Sequence, residues 1–252
     1  MKADNNIKAE KAPVKPLQTR VGRGGGLVED VGVSNVGVAP YYEDDYVKIY
    51  NSDCMTVLPN LIDSVDICVT DFPYGIGEKY LSYDDTSEGL KHLVDTVVPV
   101  LRGGCEITAI TTGVKNLFLY PQPDWVMAWF STAGTGCGPW GFCCWQPVVL
   151  YGKDPYLKEQ KGSRPDIYVA NEQTKKNGHP CPKPYGVCGW LIKRVTTNNN
   201  KVIIDPFMGS GTTLRIAKDL GYKAVGIEME ERYCEIAANR LCQNVLDLGG
   251  GI

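Results

Sequence analysis

The sequence predicts an α/β fold built on a doubly wound, mostly parallel sheet. Strand patterns and helix patterns alternate through most of the chain from about residue 46 onward, as they do in open parallel sheets. Several predicted strands are continuous apolar runs, such as SVDICVT at 64–70, and such runs are typical of strands covered by helices on both faces. The chain of 252 residues has the length of one such domain with an insertion.

Five elements are predicted in the first part of the domain. They are the strand YVKIYNSD (46–53), the short helix and turn CMTVLPNLI (54–62), the strand at 64–70, the helix EGLKHLVDTVVPVL (88–101) and the strand CEITAITT (105–112).

The pattern is less regular between about 112 and 176. DWVMAWFSTAGTGCGPWGFCCWQPVVLYGK (124–153) is rich in tryptophan, glycine and cysteine, and it predicts two antiparallel strands with a long glycine-rich connection. Polar residues from 154 to 176 predict a loop. This stretch is therefore predicted to be an insert in the domain.

Regular alternation returns in the last third. YGVCGWLIKRVTT (185–197) is predicted as a helix, KVIID (201–205) as a strand, TLRIAKDLGY (213–222) as a helix ending near Gly221, KAVGIE (223–228) as a strand and ERYCEIAANRL (231–241) as a helix.

The ends of the chain differ from the middle. Residues 1–40 are polar, basic and rich in glycine and proline, which predicts a flexible N-terminal tail before a single domain at 41–246, with a C-terminal tail at 247–252. No signal peptide and no apolar run long enough for a membrane span is recognised. We therefore expect an intracellular, cytoplasmic protein without a membrane partner.

Composition bears on ligands and partners. The ten cysteines show no C-x-x-C pair and there are two histidines, so no metal site is predicted; Cys143–Cys144 is the one pair to check. Formal net charge is −3, so a nucleic-acid partner requires basic residues gathered on one face. Basic residues cluster at 158–164, 174–176, Lys183 and 193–194, and they are either such a face or ordinary solvated side chains.

TDFPYG (70–75) follows directly on a predicted buried strand. A turn needs neither the carboxylate of Asp71 nor the ring of Tyr74. A site that acts on a flat, amine-bearing ring needs both, because the acid can accept a hydrogen bond from the amine and the ring can stack on it.

IDPFMGSGTT (204–213) places Gly209 and Gly211 between a strand and a helix. The third glycine of the dinucleotide fingerprint and the lysine of a phosphate-binding loop are missing, so neither NAD nor ATP is the first choice; a smaller anion, such as an amino-acid carboxylate, fits the turn. Glu228 ends the next strand, near the spacing at which an acid meets ribose hydroxyls. Together these features favour an adenosine-containing ligand.

Several motifs now match a known family. TDFPYG resembles the DPPY catalytic motif of S-adenosylmethionine-dependent DNA amino-methyltransferases, and DPFMGSGTT resembles their cofactor motif. The catalytic motif comes first, as in the circularly permuted β-group. YNSDC (50–54), HPCPKP (179–184) and GIEMEERYCEIAANRL (226–241) also resemble family segments, and the match covers about 46–110 and 177–243.

The resemblance implies a Rossmann-like, seven-stranded sheet with one antiparallel strand, S-adenosyl-L-methionine as cofactor and DNA as substrate, with a homodimer as one option. It implies that Asp71 and the main-chain carbonyl of Phe72 accept hydrogen bonds from the target amine, that Pro73 completes the motif and that Tyr74 stacks on an extruded base. Phe72 departs from the family's usual proline, which makes the loop less rigid.

The resemblance also implies the cofactor residues. Those at the methionine end would be Asp205, Phe207, Gly209, Ser210, Gly211 and Thr212. Glu228 would bind the ribose, Asp53 and Cys54 would lie at the adenine, and His179 and Lys183 would help to close the site.

The activity implied is site-specific methylation of adenine N6 in DNA, since members acting on cytosine N4 more often carry serine in place of Asp71. Cytosine N4 remains an alternative, as do methylation of RNA or a protein glutamine and a catalytically silent cofactor- or DNA-binding subunit. The segment at 112–176 is the part available to read bases. Trp125, Trp129, Trp140 and Trp145 could stack on bases there, but we favour core positions for them.

Overall fold

The computed structural model describes residues 37–78, 80, 82–172 and 183–242. Eleven strands lie in these ranges: β1 Tyr42–Glu43, β2 Val47–Asn51, β3 Ile67–Asp71, β4 Ile107–Thr111, β5 Trp125–Phe130, β6 Gly136–Gly138, β7 Gly141–Cys143, β8 Trp145–Tyr151, β9 Ile167–Val169, β10 Val202–Asp205 and β11 Lys223–Glu228. Nine of them form one sheet in the order β1-β2-β11-β10-β3-β4-β8-β5-β9, and β6 and β7 form a separate hairpin.

The sheet confirms the predicted doubly wound, mostly parallel α/β fold. Strands β2, β11, β10, β3 and β4 run parallel, and β8 is antiparallel to both of its neighbours, β4 and β5. These seven strands are the predicted seven-stranded sheet with one antiparallel strand. Two short strands extend it, because β1 pairs with β2 at one edge and β9 pairs with β5 at the other.

Helices cover both faces of the sheet. They are α1 Cys54–Leu61, α2 Ser87–Gly104, α3 Pro155–Lys158, α4 Tyr185–Val195, α5 Thr212–Asp219 and α6 Glu231–Cys242. One apolar cluster joins the sheet to α4, α5 and α6, and the other joins its opposite face to α1 and α2. In the described part of the chain, no helix combines the length and apolar character needed to cross a bilayer.

Two predictions in the insert are wrong. The stretch from 154 onward contains α3 and β9 in place of a continuous loop, because Asp154 caps a short helix that starts at Pro155 and residues 167–169 add to the edge of the sheet. The core position is confirmed for Trp129, but Trp125, Trp140 and Trp145 are exposed. Trp125 begins β5 and Trp140 lies in the β6–β7 turn, where no opposing layer covers them.

Some of the predicted features lie partly or wholly outside the described residues. Residues 1–36, 173–182 and 243–252 lie outside the described residues, and with them most of the predicted tails, the basic residues at 174–176 and His179. The nine cysteines in the described ranges are free thiols, and within those ranges no group of histidine, cysteine or acidic residues is arranged to hold a metal ion.

Candidate active site

Three acids end three adjacent strands. Asp71 is the last residue of β3, Asp205 of β10 and Glu228 of β11, and these strands are neighbours in the order β11-β10-β3. Because the strands are parallel, their carboxyl ends meet at one edge of the sheet, which is where open α/β sheets bind ligands. The two motifs singled out in the sequence therefore meet in space, although more than a hundred residues separate them.

Asp71 is held by three side chains. Its Oδ1 accepts hydrogen bonds from the Tyr74 hydroxyl at 2.8 Å and from Thr111 Oγ1 at 2.5 Å. Its Oδ2 pairs with Lys183 Nζ at 3.1 Å, and Lys183 also donates to the Tyr74 hydroxyl. Burial and the nearby Asp71 carboxylate raise the pKa of the Tyr74 phenol, so its hydroxyl stays a neutral donor to the acid.

The loop after β3 is fixed from two sides. Asn116 Nδ2 donates to the carbonyl oxygens of Tyr74 at 2.7 Å and Gly75 at 3.1 Å. The buried Asp85 carboxylate accepts from the backbone N–H groups of Gly75 and Ile76, at 2.7 and 3.1 Å. These bonds hold the loop in place, although Phe72 stands where the motif that it resembles has a proline.

Phe72 has a structural side chain. It is 1% exposed and meets Phe207 of the glycine turn edge-on, with ring centroids 4.6 Å apart. This contact packs the TDFPYG segment against the glycine turn. The implied role of Phe72 uses only its main-chain carbonyl, so the buried ring is compatible with it.

The glycine turn requires left-handed backbone at two positions. Gly209 has φ of 51° and Gly211 has φ of 74°, and a Cβ on Gly211 would lie 2.7 Å from the Cβ of Ala237 in α6. Asp205 accepts from Thr70 Oγ1 at 2.7 Å and from Phe207 N at 3.1 Å. Burial raises the pKa of the Asp205 carboxyl to about 6.

Glu228 connects the turn to the end of the next strand. Its Oε2 accepts from the backbone N–H of Gly209 at 3.1 Å, and its Oε1 accepts from that of Glu230 at 2.8 Å. Burial raises the pKa of the Glu228 carboxyl to about 7 despite these two bonds. The acid is thus positioned by backbone donors and titrates close to neutral pH.

One pocket at this edge collects most of the predicted site residues. Its empty space is about 1090 Å³, including the open mouth. The predicted residues that line it are Asp53, Cys54, Asp71, Pro73, Lys183, Asp205, Phe207, Gly209, Ser210, Thr212 and Glu228. Of the remaining predicted residues, Phe72 and Gly211 lie behind the wall and Tyr74 lies beside Asp71, whereas His179 is outside the described residues.

The pocket is acidic with apolar patches. Among the described residues that line it, five carry carboxylates (Asp53, Asp71, Asp205, Glu228 and Glu230) and one, Lys183, carries an ammonium. Glu230 Oε1 is buried and has no hydrogen-bond partner among the described residues, so it is an available acceptor. Leu93, Phe207, Met229 and Tyr233 supply apolar or aromatic surface. The residues present therefore fit a cationic molecule that carries hydroxyls and an aromatic ring.

Sequence reasoning missed several residues of the site. The missed lining residues include Ser52, Tyr80, Tyr83, Leu93, Met229, Glu230 and Tyr233. Thr111 was also missed, although it ends β4 at the same edge and bonds to Asp71. A search for polar residues at the ends of all parallel strands would have identified Thr111. Tyr80 and Tyr83 lie in a loop without a regular pattern and gave no such signal.

The fold and pocket define a Rossmann-like α/β protein with a ligand site at the carboxyl edge of its sheet. Residues 139–239 match the family model N6_N4_Mtase, described as DNA methylase. The chain is 26% identical over 261 residues to the Type II methyltransferase M.ScaI of Streptomyces caespitosus, and this alignment covers 80% of the chain and 83% of the relative. The predicted resemblance to DNA amino-methyltransferases is thereby confirmed.

Solved structures agree at the level of the fold. The PvuII DNA methyltransferase, named as cytosine-N4-specific, superposes with a TM-score of 0.65 at 15% identity and covers 84% of this chain and 92% of its own. The M1.HpyAVI-SAM complex superposes with a TM-score of 0.55 at 21% identity and covers 78% of this chain and 100% of its own.

Proposed function

We propose that this protein is a site-specific DNA methyltransferase that transfers a methyl group from S-adenosyl-L-methionine to the exocyclic N6 of adenine. The observation that carries the proposal is the placement of Asp71 in the same pocket as Asp205 and Glu228, at the ends of three adjacent strands. Without this shared pocket, TDFPYG and DPFMGSGTT would be two separate segments that each resemble a family motif.

The acidic pocket supports S-adenosyl-L-methionine as the cofactor, which supplies an electrophilic methyl group on a cationic sulfur. Glu228 is positioned to accept hydrogen bonds from ribose hydroxyls, and the backbone around Gly209 and Gly211 is positioned for the methionine end. Asp53 and Cys54 line the adenine end, where burial raises the pKa of the Cys54 thiol to about 12 and keeps it neutral. The solved M1.HpyAVI-SAM complex, which shares the fold, supports the same assignment.

Asp71 orients the target amine by accepting a hydrogen bond from it. An ionised carboxylate offers about four acceptor positions. Thr111, Tyr74 and Lys183 use three of them, which leaves one for an N–H of the substrate. The Phe72 carbonyl would accept the second N–H. Two acceptors localise the lone pair of the nitrogen and aim it at the methyl group, so catalysis rests on orientation and electrostatics without a covalent intermediate.

Adenine is favoured over cytosine by the acid itself, since the family resemblance associates Asp71 with adenine and serine with cytosine. DNA is favoured over RNA or protein by the order of the motifs and by the relation to Type II methyltransferases. Base extrusion is required because the amine of a paired base is not accessible inside the duplex.

The test is transfer of tritium-labelled methyl to unmethylated duplex DNA by the wild type, Asp71→Ala and a matched control. Asp95→Ala is the control, because Asp95 is an exposed acid of α2 whose ion-pair partner among the described residues is Lys91. We expect Asp71→Ala to lower the rate by about 10²-fold or more. Cofactor affinity and the Asp95→Ala rate should stay within about twofold of the wild type.

The product identifies the base. Digestion of the methylated DNA to nucleosides should give N6-methyladenine by mass, and mainly N4-methylcytosine would contradict the adenine assignment alone. Equal background counts from the wild type and Asp71→Ala would favour a silent cofactor- or DNA-binding subunit.

A further inference from the structure

Three aromatic side chains stand out by their exposure. Among the large apolar side chains that the structure describes, Trp140 is 100% exposed, Phe118 94% and Phe142 81%, and the next, Val169, is 65% exposed. Single exposed apolar residues are common on protein surfaces, but a group of large aromatic rings indicates a contact surface. Phe118 follows β4, and the other two lie in the β6–β7 hairpin between β5 and β8.

All three lie on connections that leave the edge of the sheet where Asp71 lies. The pairing register matches Asp71 with Thr111, Thr111 with Val148 and Val148 with Met127. β5 then continues three residues further, to Phe130. β5 is three strands away from β3. At about 3.3 Å per residue and 4.8 Å per strand, the end of β5, where the hairpin begins, lies about 10 Å beyond the level of Asp71 and about 14 Å to its side.

The hairpin has a fixed base. Ser131 N donates to the carbonyl of Cys144 at 2.8 Å, and Thr135 N donates to that of Cys143 at 2.6 Å. Thr135 Oγ1 also donates to the carbonyl of Trp145 at 3.1 Å. Above this base only the short β6–β7 pairing holds the strands together, and Trp140 stands in the turn. The hairpin is therefore positioned at its root and exposed at its tip.

The hairpin is also uncharged. No residue from 131 to 146 is acidic or basic, and glycine occupies four positions of 134–141. A surface that binds phosphates carries lysine and arginine, whereas a surface that inserts between or beside bases uses apolar and aromatic side chains. This uncharged hairpin with exposed aromatic rings has the composition of a surface that inserts between or beside bases.

We propose that the β6–β7 hairpin enters the DNA duplex beside the target base and that Trp140 and Phe142 occupy the space left when this base is extruded. The inference deepens the proposed function, on which it rests, by assigning the residues that make extrusion favourable. Stacking of an aromatic ring on the exposed neighbouring bases offsets part of the cost of unpairing and unstacking.

The experiment compares two substrates. The first is a duplex with the sequence found methylated in the DNA of cells that express the chain, and the second is the same duplex with an abasic site opposite the target base, where extrusion costs less. The variants are Trp140→Ala with Phe142→Ala, the conservative Trp140→Phe and the control Trp125→Ala. Trp125 is an exposed tryptophan at the opposite end of β5. Thermal unfolding of each variant checks the fold.

We expect the double variant to transfer methyl to the paired duplex about tenfold more slowly and to the abasic duplex within about twofold of the wild type. Trp140→Phe and Trp125→Ala should keep both rates within about twofold. Three results would each overturn the inference without affecting the proposed function. The first is an unchanged rate of the double variant, and the second is an equal loss of rate on both substrates. The third is a change from dimer to monomer in sedimentation while the ratio of the rates on the paired and abasic duplexes stays that of the wild type. No transfer by the wild type would overturn the proposed function and the inference with it.

Discussion

At the residue scale, Asp71 and Tyr74 were recognised from one motif, but the contacts of Asp71 with Thr111 and Lys183 were not predicted. Thr111 lies forty positions away and Lys183 lies more than a hundred away. Only the pairing of β3 with β4 and the approach of the segment before α4 bring them to the acid. Residues that are close in sequence can be assigned to one site from their spacing. Residues on different strands can be assigned to one site only when the order of the strands is known.

If Glu228 binds the cofactor as proposed, cofactor binding should depend on pH. Burial raises the pKa of its carboxyl from 4.5 to about 7, so the group takes up a proton as pH falls through 7 in the ligand-free protein. A ligand that needs the ionised acid must displace this proton, and its Kd should rise as pH falls. We expect the Kd of S-adenosylhomocysteine to be about tenfold higher at pH 6 than at pH 8 by calorimetry.

Glu228→Gln is the matched variant for this measurement, since it keeps the shape and cannot titrate. It should bind more weakly at pH 8, and its Kd should change less between pH 8 and pH 6 because only Asp205, with a pKa of about 6, still titrates nearby. The same pH dependence in Glu228→Gln and in the wild type would assign the effect to another group.

The raised pKa of Glu228 also affects stability. A carboxyl whose pKa is higher in the folded state favours folding below its unfolded pKa of 4.5, and this contribution is lost as pH rises to about 7. At neutral pH, which is close to this pKa, part of the ligand-free protein therefore carries an unfavourable buried charge. Such a cost is characteristic of binding sites.

At the element scale, the glycine turn and α5 depend on one backbone conformation. Gly211 precedes α5 with φ of 74°, and its missing side chain lets α6 approach closely. The sequence predicted this turn because two glycines stood between a strand and a helix. The close approach of Ala237 could not be predicted, because it depends on how α6 packs.

Gly211→Ala should destabilise the protein by about 1–3 kcal/mol, since it adds left-handed strain and a contact of 2.7 Å with Ala237. The control is Gly103→Ala in α2, where an added Cβ meets open space and helix propensity should raise stability by about 0.5–1 kcal/mol. Urea unfolding measures both. Equal free energies of unfolding for Gly211→Ala and the wild type would contradict the packing described for the turn.

Strands and helices of ordinary length were predicted from the sequence, whereas elements of two to four residues were not. The strands β2, β3, β4, β10 and β11 have alternating or continuous apolar sequences, and the helices between them have apolar residues at helical spacing. β1, β9 and α3 contain two to four residues, too few for a pattern to repeat, and they form because neighbouring strands or a capping acid hold them. Local sequence cannot show such dependence on tertiary contacts.

At the scale of the whole molecule, those basic residues of the second half that the structure describes do not form one face at the active site. Arg164 and Arg194 both pair with Asp154, at 3.4 and 2.5 Å. They lie where α4 ends before β10, which is the amino edge of the sheet, opposite Asp71. Lys183 instead belongs to the site. We therefore expect phosphate contacts from basic residues on the connections at the carboxyl edge.

Lys115 is the residue to test, because it is exposed on the connection after β4, near Phe118. Lys115→Ala should lower DNA affinity and reduce the slope of log Kd against log salt concentration by about one unit. Lys193→Ala, an exposed lysine in the last turn of α4, should leave the slope unchanged. Fluorescence anisotropy with labelled duplex measures both, and the reverse result would place DNA at the amino edge.

The pairing of β3 with β10 has a consequence for biosynthesis. It joins Ile67 and Cys68 to Ile203 and Ile204, so β3 gains its second neighbour only after the ribosome has made more than a hundred further residues. At ordinary translation rates this takes on the order of ten seconds. During that time an apolar strand edge is available to other nascent chains. We expect the yield of native protein to depend on chaperones that bind this edge until β10 emerges.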